Sequence, residues 1–173
     1  MKIIICGAGE VGFSLAKYLA SEDMQVTVID ESSDRLQKVA ASIDVRSIIG
    51  KSYNPNILLE AGAENADLLI SVSENDESNI ISCEIAKVLF NLPNTIARIR
   101  EKDLLESKWL DLFSAKGLKV DNVISPENEV ANMLARLVAV SGAHDLISFV
   151  DDKIRLIGLK LDDDCPVLET PLK

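Results

Sequence analysis

The sequence predicts an α/β fold in which a doubly wound, six-stranded parallel sheet is followed by the start of a small C-terminal α/β lobe. Short runs rich in β-branched residues alternate along the chain with segments of helical periodicity. The extended runs are mainly apolar, which is typical of parallel strands that are covered on both faces. Apolar residues make up 47% of the 173-residue chain, enough for one such domain to bury a core.

Six extended runs fit the strands of this sheet. They are Lys2–Cys6, Gln25–Ile29, Val45–Ile49, Leu68–Val72, Thr95–Ile99 and Asn122–Ile124. The segments between them carry apolar residues at helical spacing, and we expect each set to face the core. The sets are Val11, Leu15 and Leu19; Leu36, Val39 and Ala40; Ile57, Leu58 and Ala61; Ile81, Ile85, Val88 and Leu89; and Leu105, Trp109, Leu112 and Phe113. Lys116-Gly117 is typical of a helix end and closes the fifth set.

A further helix, after Pro126, carries apolar residues around most of its surface. These residues are Val130, Ala131, Met133, Leu134, Ala135, Leu137, Val138, Ala139 and Val140. A helix of this kind must be covered on more than one side. Either it is sandwiched within its own chain, or it is a crossover helix, near residues 127–141, that packs against a second copy of the protein.

Gly142 marks a boundary, so we predict a first domain over residues 1–141 and a second domain over residues 142–173. The second domain begins with two extended runs, Leu146–Val150 and Ile154–Leu161, which predict a hairpin around a short acidic turn. Because a hairpin alone is only marginally stable in water, we expect it to be the start of a larger unit that is cut short in this chain.

Charge and cysteine usage exclude several classes of protein. The formal net charge of -10 is unfavourable for binding nucleic acids or anionic membrane surfaces. The apolar runs are short and interrupted by charges, so no segment is predicted to span a membrane or to act as a signal peptide. Cys6, Cys83 and Cys165 lack the spacing of a disulfide framework or a zinc site. We expect the first two to be buried, and a reducing cytoplasm fits this pattern.

The residues after the first strand form the motif Gly7-x-Gly9-x-x-Gly12. A strand precedes the motif and an amphipathic helix follows it, which is the context of a Rossmann-like, dinucleotide-binding unit. In such a unit the first glycine permits the tight turn, the second lets the backbone approach a pyrophosphate, and the third lets helix and strand pack closely. Amide groups at the helix start favour a phosphate locally. The motif therefore predicts a nucleotide site, and a purely structural turn is the alternative.

Asp30 closes the second strand, where a carboxylate can accept hydrogen bonds from both ribose hydroxyls of a nucleotide. Glu31 follows at a position where a protein that reads a 2′-phosphate would place Arg. NAD or an adenine nucleotide is therefore favoured over NADP. Glu10, inside the phosphate turn, opposes a highly charged triphosphate unless Arg98, Arg100 or a bound cation offsets its charge, and this tilts the prediction toward a dinucleotide.

Arg98 and Arg100 project to one face at the carboxyl end of the fifth strand. A cation on a buried parallel strand is unusual and needs an anionic partner. Ligands of open α/β sheets bind outside the carboxyl ends of the strands, so Arg98 is a candidate for phosphate binding. Internal ion pairs are the competing explanation, and the candidate partners are Glu74, Asp76 and Glu77.

The chain carries no recognisable catalytic set. Its one histidine, His144, lies beyond the last sheet helix, and no Ser/His/Asp arrangement, HExxH motif or metal-ligand spacing is present. We therefore expect a sensor of nucleotides that performs no reaction. One alternative is an NAD-dependent oxidoreductase whose catalytic domain is missing from this chain, and another is a scaffold that uses the fold only for assembly.

Five segments of the chain resemble the RCK domain family, which is also called KTN. They read IIICGAGEVGFSLAKYLA, VTVID, LLEAGAENADLLISVSENDESNIISCEIAKVLF, TIARIR and VISPE. Many nucleotide binders share the first segment, whereas the run from Glu60 to Phe90, followed by Ala97-Arg98-Ile99-Arg100, is much more specific. Nearly the whole chain is similar to the N-terminal half of the cytoplasmic regulatory subunits of bacterial and archaeal potassium uptake systems.

The resemblance implies a protein at the inner face of the cell membrane that binds NAD(H) or ATP/ADP and gates potassium transport. It implies two kinds of partner, a membrane potassium transporter subunit of the TrkH/TrkG type and further copies of this chain in a dimer or tetramer. The dimerising crossover helix of the family matches the helix after Pro126. The binding positions of the family correspond to Gly7, Ala8, Gly9, Glu10, Val11, Asp30, Ser73, Glu74 and Arg98.

Overall fold

The computed structural model describes residues 1–113, 117–139, 143–149, 153–161 and 165. The chain forms two compact units, Met1–Ser125 and Pro126–Lys173. This division falls after Ser125, whereas the sequence analysis places a boundary after residue 141. The helix that follows Pro126 therefore belongs to the second unit.

All six predicted strands are present in the first unit, and every neighbouring pair of them runs parallel. They are β1 (Lys2–Cys6), β2 (Gln25–Asp30), β3 (Arg46–Ile49), β4 (Leu68–Ser71), β5 (Asn94–Arg98) and β6 (Asn122–Ile124). Their order is β3-β2-β1-β4-β5-β6, which confirms the doubly wound, Rossmann-like sheet. The order reverses between β1 and β4, so a ligand crevice is expected at the carboxyl ends of these two strands.

Four α-helices lie in the described part of the first unit. They are α1 (Glu10–Ser21), α2 (Ser33–Ser42), α3 (Pro55–Glu60) and α4 (Asp76–Phe90). The side-chain oxygens of Ser32, Asn54 and Asn75 cap α2, α3 and α4 by accepting a backbone N–H. Gly9 precedes α1 and has no side chain to do this, so the first amide groups of α1 are left to other partners.

The core lies on both faces of the sheet, because alternate residues of each strand point to opposite sides. On one face, Ile3 and Ile5 of β1 pack with the buried side chains of α1 and α2. On the other face, Ile4 and Cys6 pack with the buried side chains of α3 and α4. Cys83 of α4 is fully buried there, so the prediction for both of these cysteines is confirmed.

The prediction for the core-facing side of α4 is wrong for three of its four residues. We expected Ile81, Ile85, Val88 and Leu89 to face the core; Ile85 is half-buried and packs against it, but the other three are exposed. The buried residues of α4 are instead Asn79, Ile80, Ser82, Cys83 and Ala86. Most of these side chains are small or polar, and Asn79 bonds to the ends of the neighbouring strands. Three large aliphatic residues, Ile81, Val88 and Leu89, lie on the opposite side of the helix.

The predicted fifth helix is also wrong, because this part of the chain forms two short 3₁₀ segments. They are Lys102–Leu105 and Ser107–Phe113. Leu105 and Phe113 pack against the core as expected, but Trp109 is 53% exposed and Leu112 is exposed as well. A 3₁₀ helix has about three residues per turn, so positions four apart do not share a face as they do in an α-helix.

The described part of the second unit contains one α-helix and one antiparallel hairpin. These elements are α5 (Pro126–Ala139), β7 (Ala143–Phe149) and β8 (Ile154–Leu159). In the hairpin Ile147 pairs with Leu156, which confirms the predicted pairing of two extended runs. Predicted features at Lys116, Val140, Gly142, Val150, Asp151 and Asp152 lie outside the described residues. None of the helices that the structure describes is both long enough and apolar enough to cross a membrane.

Candidate functional site

Two adjoining cavities lie beside the carboxyl ends of the central strands. The larger has a volume of about 760 Å³ and the smaller about 170 Å³. Gly7, Ser73 and Glu74 line both of them. The larger cavity is also lined by Ala8, Gly9, Glu10, Val11 and Arg98, and the smaller by Asp30. The structure thus brings nine of the ten predicted site residues to one edge of the sheet, while the tenth, Gly12, is buried in α1.

The three glycines of the turn occupy different structural positions. Gly7 has a φ of +108°, and a Cβ atom there would lie 2.8 Å from the backbone nitrogen of Ser73. A Cβ atom on Gly12 would lie 1.8 Å from the carbonyl oxygen of Gly7, so only glycine lets α1 begin this close to β1. A Cβ atom on Gly9 would meet nothing within 4 Å. The fold therefore requires the first and third glycines, and the second leaves space through which a ligand can approach the backbone.

Asp30 is held by backbone groups of the site itself. Its Oδ2 accepts a hydrogen bond from the Ala8 N–H at 2.6 Å, and its Oδ1 accepts one from the Ser32 N–H at 2.8 Å. Because each carboxylate oxygen has two lone pairs, both oxygens retain capacity for further hydrogen bonds. Asp30 therefore connects the glycine turn to the end of β2. It can still accept hydrogen bonds from the hydroxyl groups of a ligand in the smaller cavity.

The two predicted arginines have different surroundings. Arg98 is the last residue of β5 and lines the larger cavity. Arg100 instead places its Nε 3.7 Å from Oδ1 of Asp76. The Oδ2 atom of Asp76 also accepts the backbone N–H groups of Arg100 and Glu101, each at 2.8 Å. The internal ion pair, which was the competing explanation, therefore accounts for Arg100.

Sequence reasoning missed two cations on α2. Arg35 and Lys38 both line the larger cavity. The Nη2 atom of Arg35 lies 2.9 Å from Oε1 of Glu74, and its Nη1 atom lies 3.8 Å from Oδ2 of Asp30. Arg35 thus bridges two predicted site residues that follow different strands. The signal was available in the sequence, since α2 begins just after Asp30 and residues three apart share a helix face.

The loop after β3 was missed as well. Ser52 and Tyr53 line the smaller cavity together with Asp30. The Lys51 ammonium lies 5.7 Å from the centre of the Tyr53 ring, a distance that suits a cation–π contact. This loop therefore brings an aromatic ring and a hydroxyl group to the carboxylate that is predicted to bind ribose.

A third omission is Asn79, which is fully buried near the start of α4. Its Oδ1 accepts hydrogen bonds from the Ser71 hydroxyl at 3.0 Å and from the Ser73 N–H at 2.9 Å. Its Nδ2 donates to the backbone carbonyls of Ser73 at 3.1 Å and Arg98 at 2.9 Å. One side chain thus joins the ends of β4 and β5. An asparagine inside a helical pattern gave no sequence signal for this role.

Two thiols lie beneath the site. Burial raises the pKa of Cys6 to about 12, an effect larger than the lowering caused by hydrogen bonds with Ser52 and Ser71. Burial also raises the pKa of Cys83 well above its usual value. Both thiols are therefore protonated at neutral pH, where they are poor nucleophiles and poor metal ligands. The described residues contain no group of three His, Cys, Asp or Glu side chains placed to hold a metal ion.

The family model described as the TrkA-N domain matches residues 3–126 of this chain. That range contains the six-stranded sheet apart from Lys2, and every residue of the candidate site. The chain belongs to the TrkA-N family. The resemblance that the sequence segments indicated is therefore confirmed.

Two relatives of this TrkA-N chain are named after the Trk system of potassium uptake. The chain is 42% identical over 172 residues to the Trk system potassium uptake protein TrkA of Azorhizobium caulinodans, a match that covers 99% of this chain and 38% of that protein. It is 31% identical over 176 residues to the Trk system potassium uptake protein TrkA homolog of Methanothermobacter thermautotrophicus, covering 96% and 78%. The chain thus spans well under half the length of the first relative and about three quarters of the second.

Solved structures share the fold of this TrkA-N chain. The GsuK channel bound to NAD superposes with a TM-score of 0.66 at 17% identity, over 87% of this chain and 25% of that one. GsuK bound to ADP gives a TM-score of 0.61 at 23% identity, over 79% and 33%. At these identities the superpositions show a common architecture.

Proposed function

We propose that this chain is the nucleotide-binding part of a regulatory subunit that binds NAD(H) or ATP/ADP and gates a membrane potassium uptake transporter. The observation that carries the proposal is the pair of cavities between the glycine turn, Asp30 and Arg98. The names of the relatives support a role in potassium uptake. The partner would be a transporter subunit of the TrkH/TrkG type, which the protein would bind at the cytoplasmic face of the membrane.

The groups around the two cavities suit the parts of an adenine dinucleotide. Asp30 offers carboxylate oxygens to the ribose hydroxyls, and the amide groups at the start of α1 favour a phosphate. Arg98 adds a cation at the end of β5. The larger cavity, at about 760 Å³, lies within the roughly 300–1,000 Å³ usual for small-molecule sites, so it has room for the second half of a dinucleotide. A channel of this fold accommodates both NAD and ADP.

The charges at the site favour some nucleotides over others. Asp30 and Glu31 both line the smaller cavity and would repel a 2′-phosphate, which disfavours NADP(H). Glu10 lines the larger cavity and opposes a triphosphate, but Arg35 and Lys38 line the same cavity and offset it. NAD(H) is therefore our first choice, and ATP/ADP is the second.

Calorimetric titration with NAD, NADH, ATP and ADP tests the proposal. We expect micromolar affinity for at least one of them, and binding of none would contradict the function. Asp30→Ala should weaken the affinity by at least about tenfold, because the ribose hydroxyls lose their acceptor and the turn loses its anchor. Asp44→Ala is the matched control, since it removes an exposed carboxylate at the opposite edge of the sheet. A folded Asp30→Ala protein with wild-type affinity would refute the ribose assignment.

We propose that the nucleotide is sensed and not converted. The one histidine, His144, lies in β7 of the second unit, apart in sequence from every predicted ligand position. The oxidoreductase alternative requires a substrate domain elsewhere in a longer protein. The full-length gene separates the two functions, because a second glycine-rich turn downstream supports regulation and a substrate domain supports oxidation and reduction.

We propose that ligand binding shifts the arrangement of two copies of the chain. A ligand can do this only through different affinities for the two arrangements, and such couplings are typically ~1–3 kcal/mol. The helix α5 offers a surface for self-association, since four large apolar side chains are exposed among those that the structure describes in it. They are Val130, Met133, Leu134 and Val138. Their spacing places them along one side of the helix.

Sedimentation of the purified chain tests this self-association. Val138 is 85% exposed, so Val138→Glu should reduce the molecular mass in solution without loss of fold, because a charge would be buried in the contact. Asn132→Glu, also on the exposed surface of α5, is the matched control and should leave the mass unchanged. A monomeric wild-type protein, or a Val138→Glu protein of unaltered mass, would contradict the proposal.

A further inference from the structure

The sheet ladder between β4 and β5 ends just before two predicted site residues. Its last pair is Ser71 with Ala97. Ser73 lies beyond the end of β4, and Arg98 is the last residue of β5. The Nδ2 group of Asn79 donates to the backbone carbonyls of both, at 3.1 Å and 2.9 Å. Beyond the last backbone pair of β4 and β5, the Asn79 side chain therefore supplies the hydrogen bonds that connect the two strands.

The other half of the Asn79 amide is also engaged. Its Oδ1 accepts from the Ser71 hydroxyl and the Ser73 N–H, and the Ser73 hydroxyl oxygen lies 2.7 Å away. The side chain is 0% exposed. With donors and acceptor all used, the amide has one arrangement that satisfies its neighbours, and leaving any of them unsatisfied in the interior is unfavourable.

Asn79 does not itself line either cavity, whereas the residues that it holds do. Ser73 and Glu74 line both cavities, and Arg98 lines the larger. The Asn79 bonds fix the backbone from which these side chains project. The separation between the turn after β4 and the arginine at the end of β5 is therefore set by a residue of α4.

We propose that Asn79 is a positioning residue for the nucleotide, which holds Arg98 and the Ser73-Glu74 turn at the separation that the ligand phosphates require. The inference rests on the proposed function, since it concerns the same site. It adds that affinity for phosphates depends on a buried amide that never touches the ligand. If nucleotide binding changes the spacing of β4 and β5, we expect α4 to move as well, because Asn79 connects it to both strands.

Asn79→Asp is the variant that tests this role. It keeps the size of the side chain and an acceptor oxygen, but it cannot donate to both carbonyls, because a carboxyl group has one O–H when protonated and none when ionised. We expect ADP to bind at least about tenfold more weakly, whereas adenosine, which lacks phosphates, should bind within about twofold of wild type. If Asn79→Asp does not fold, Asn79→Ser keeps a small donor and acceptor and is measured in the same way.

A double-mutant cycle separates positioning from general destabilisation. Arg98→Gln removes the cation, and a residue that acts through Arg98 should add little further loss once this group is gone. Thr95→Val is the matched control, because it removes a buried side-chain hydrogen bond at the other end of β5, and it should lower stability without changing ADP affinity.

The outcomes separate this inference from the function on which it rests. Losses that multiply in the double mutant, or a folded Asn79 variant with wild-type ADP affinity, would overturn the positioning role alone. Equal losses for adenosine and ADP would do the same. If the wild-type chain binds none of NAD, NADH, ATP and ADP, the proposed function fails, and this inference fails with it.

Discussion

The two ends of β5 carry polar networks of opposite character. At the carboxyl end, Asn79 joins the backbones of β4 and β5 through neutral hydrogen bonds and is fully buried. At the amino end, the N–H and hydroxyl groups of Thr95 donate to Oδ2 of Asp121 at 2.7 Å and 3.0 Å. The Lys87 ammonium lies 2.6 Å from the same oxygen, and the Asp121 side chain is 37% exposed. Both networks attach α4 to the sheet, one at each end of the helix.

The two networks contribute differently: one fixes the spacing of neighbouring groups, and the other adds to stability. A buried neutral network permits few alternative arrangements and suits the end of the sheet where the groups proposed to contact the ligand must keep fixed spacings. An ion pair near solvent is screened by water and contributes modest stability. We therefore expect damage at the carboxyl end to appear in ligand affinity as well as stability, and damage at the amino end to appear in stability alone.

The largest effect on stability is expected for a substitution beside the carboxyl end of β1. Gly12→Ala would place a Cβ atom 1.8 Å from the Gly7 carbonyl oxygen, so the start of α1 must move away from the strand. We expect the free energy of unfolding in urea to fall by about 3 kcal/mol, with loss of nucleotide binding.

Gly9→Ala is the matched control for that substitution. A Cβ atom at this position meets nothing within 4 Å, so we expect the stability to stay within about 0.5 kcal/mol of wild type. Affinity should still fall, because the methyl group stands where the pyrophosphate approaches the backbone. Equal stabilities for the two variants would show that the close contact of helix and strand has no energetic importance.

A smaller effect on stability is expected at the amino end of β5. Partial burial would raise the pKa of Asp121, but hydrogen bonds from Lys87 and Thr95 and the charge of Lys87 outweigh this and lower it. A carboxyl group whose pKa is lower in the folded state stabilises the protein above its unfolded-state pKa, and this contribution disappears as the pH falls through the folded-state value.

Asp121→Asn should therefore lower the free energy of unfolding by about 1 kcal/mol at neutral pH and leave ADP affinity unchanged. Urea unfolding of both proteins across a pH series should show this difference shrinking below about pH 4. A difference that is independent of pH would mean that the charge of Asp121 is unimportant.

The smallest effect concerns accessibility and not stability. Cys6 at the end of β1 is buried with a pKa of about 12, whereas Cys165 is partly exposed. At pH 8, iodoacetamide should alkylate Cys165 first and leave Cys6 and Cys83 unmodified until the protein unfolds. Peptide mass spectrometry reads the order directly, and rapid alkylation of Cys6 in the native protein would show that the carboxyl edge of the sheet is loosely packed.

The sequence predicted the sheet well because the information lies within each strand. Continuous apolar runs, ended by glycine or polar residues, placed the strand ends within one residue of those observed. The glycine turn was also recognisable, since the motif specifies its own backbone. Gly7 has the left-handed φ and Gly12 the close contact that those positions predict.

What the sequence did not reveal depends on contacts between distant elements. In α4, Ile81, Val88 and Leu89 form an apolar stripe that is stronger than the one on the true inner face. Periodicity identifies such a stripe but does not say which surface it meets. The inner face carries a polar residue, Asn79, because the ends of two strands need hydrogen-bond partners there, a requirement that only the assembled sheet reveals. The position of Arg35 close to Asp30 could have been read from the sequence, but its ion pair with Glu74, which follows a different strand, could not.

The bond between Asp30 and the Ala8 N–H has a consequence for anyone who wishes to re-engineer the preference for a nucleotide. The usual route to accepting a 2′-phosphate is to replace this carboxylate with a neutral or basic side chain. Here that exchange also releases the backbone amide that keeps the turn in shape. A successful redesign therefore needs a second substitution that restores an acceptor for this amide, and single substitutions at Asp30 should yield proteins that lose the old cofactor without gaining the new one.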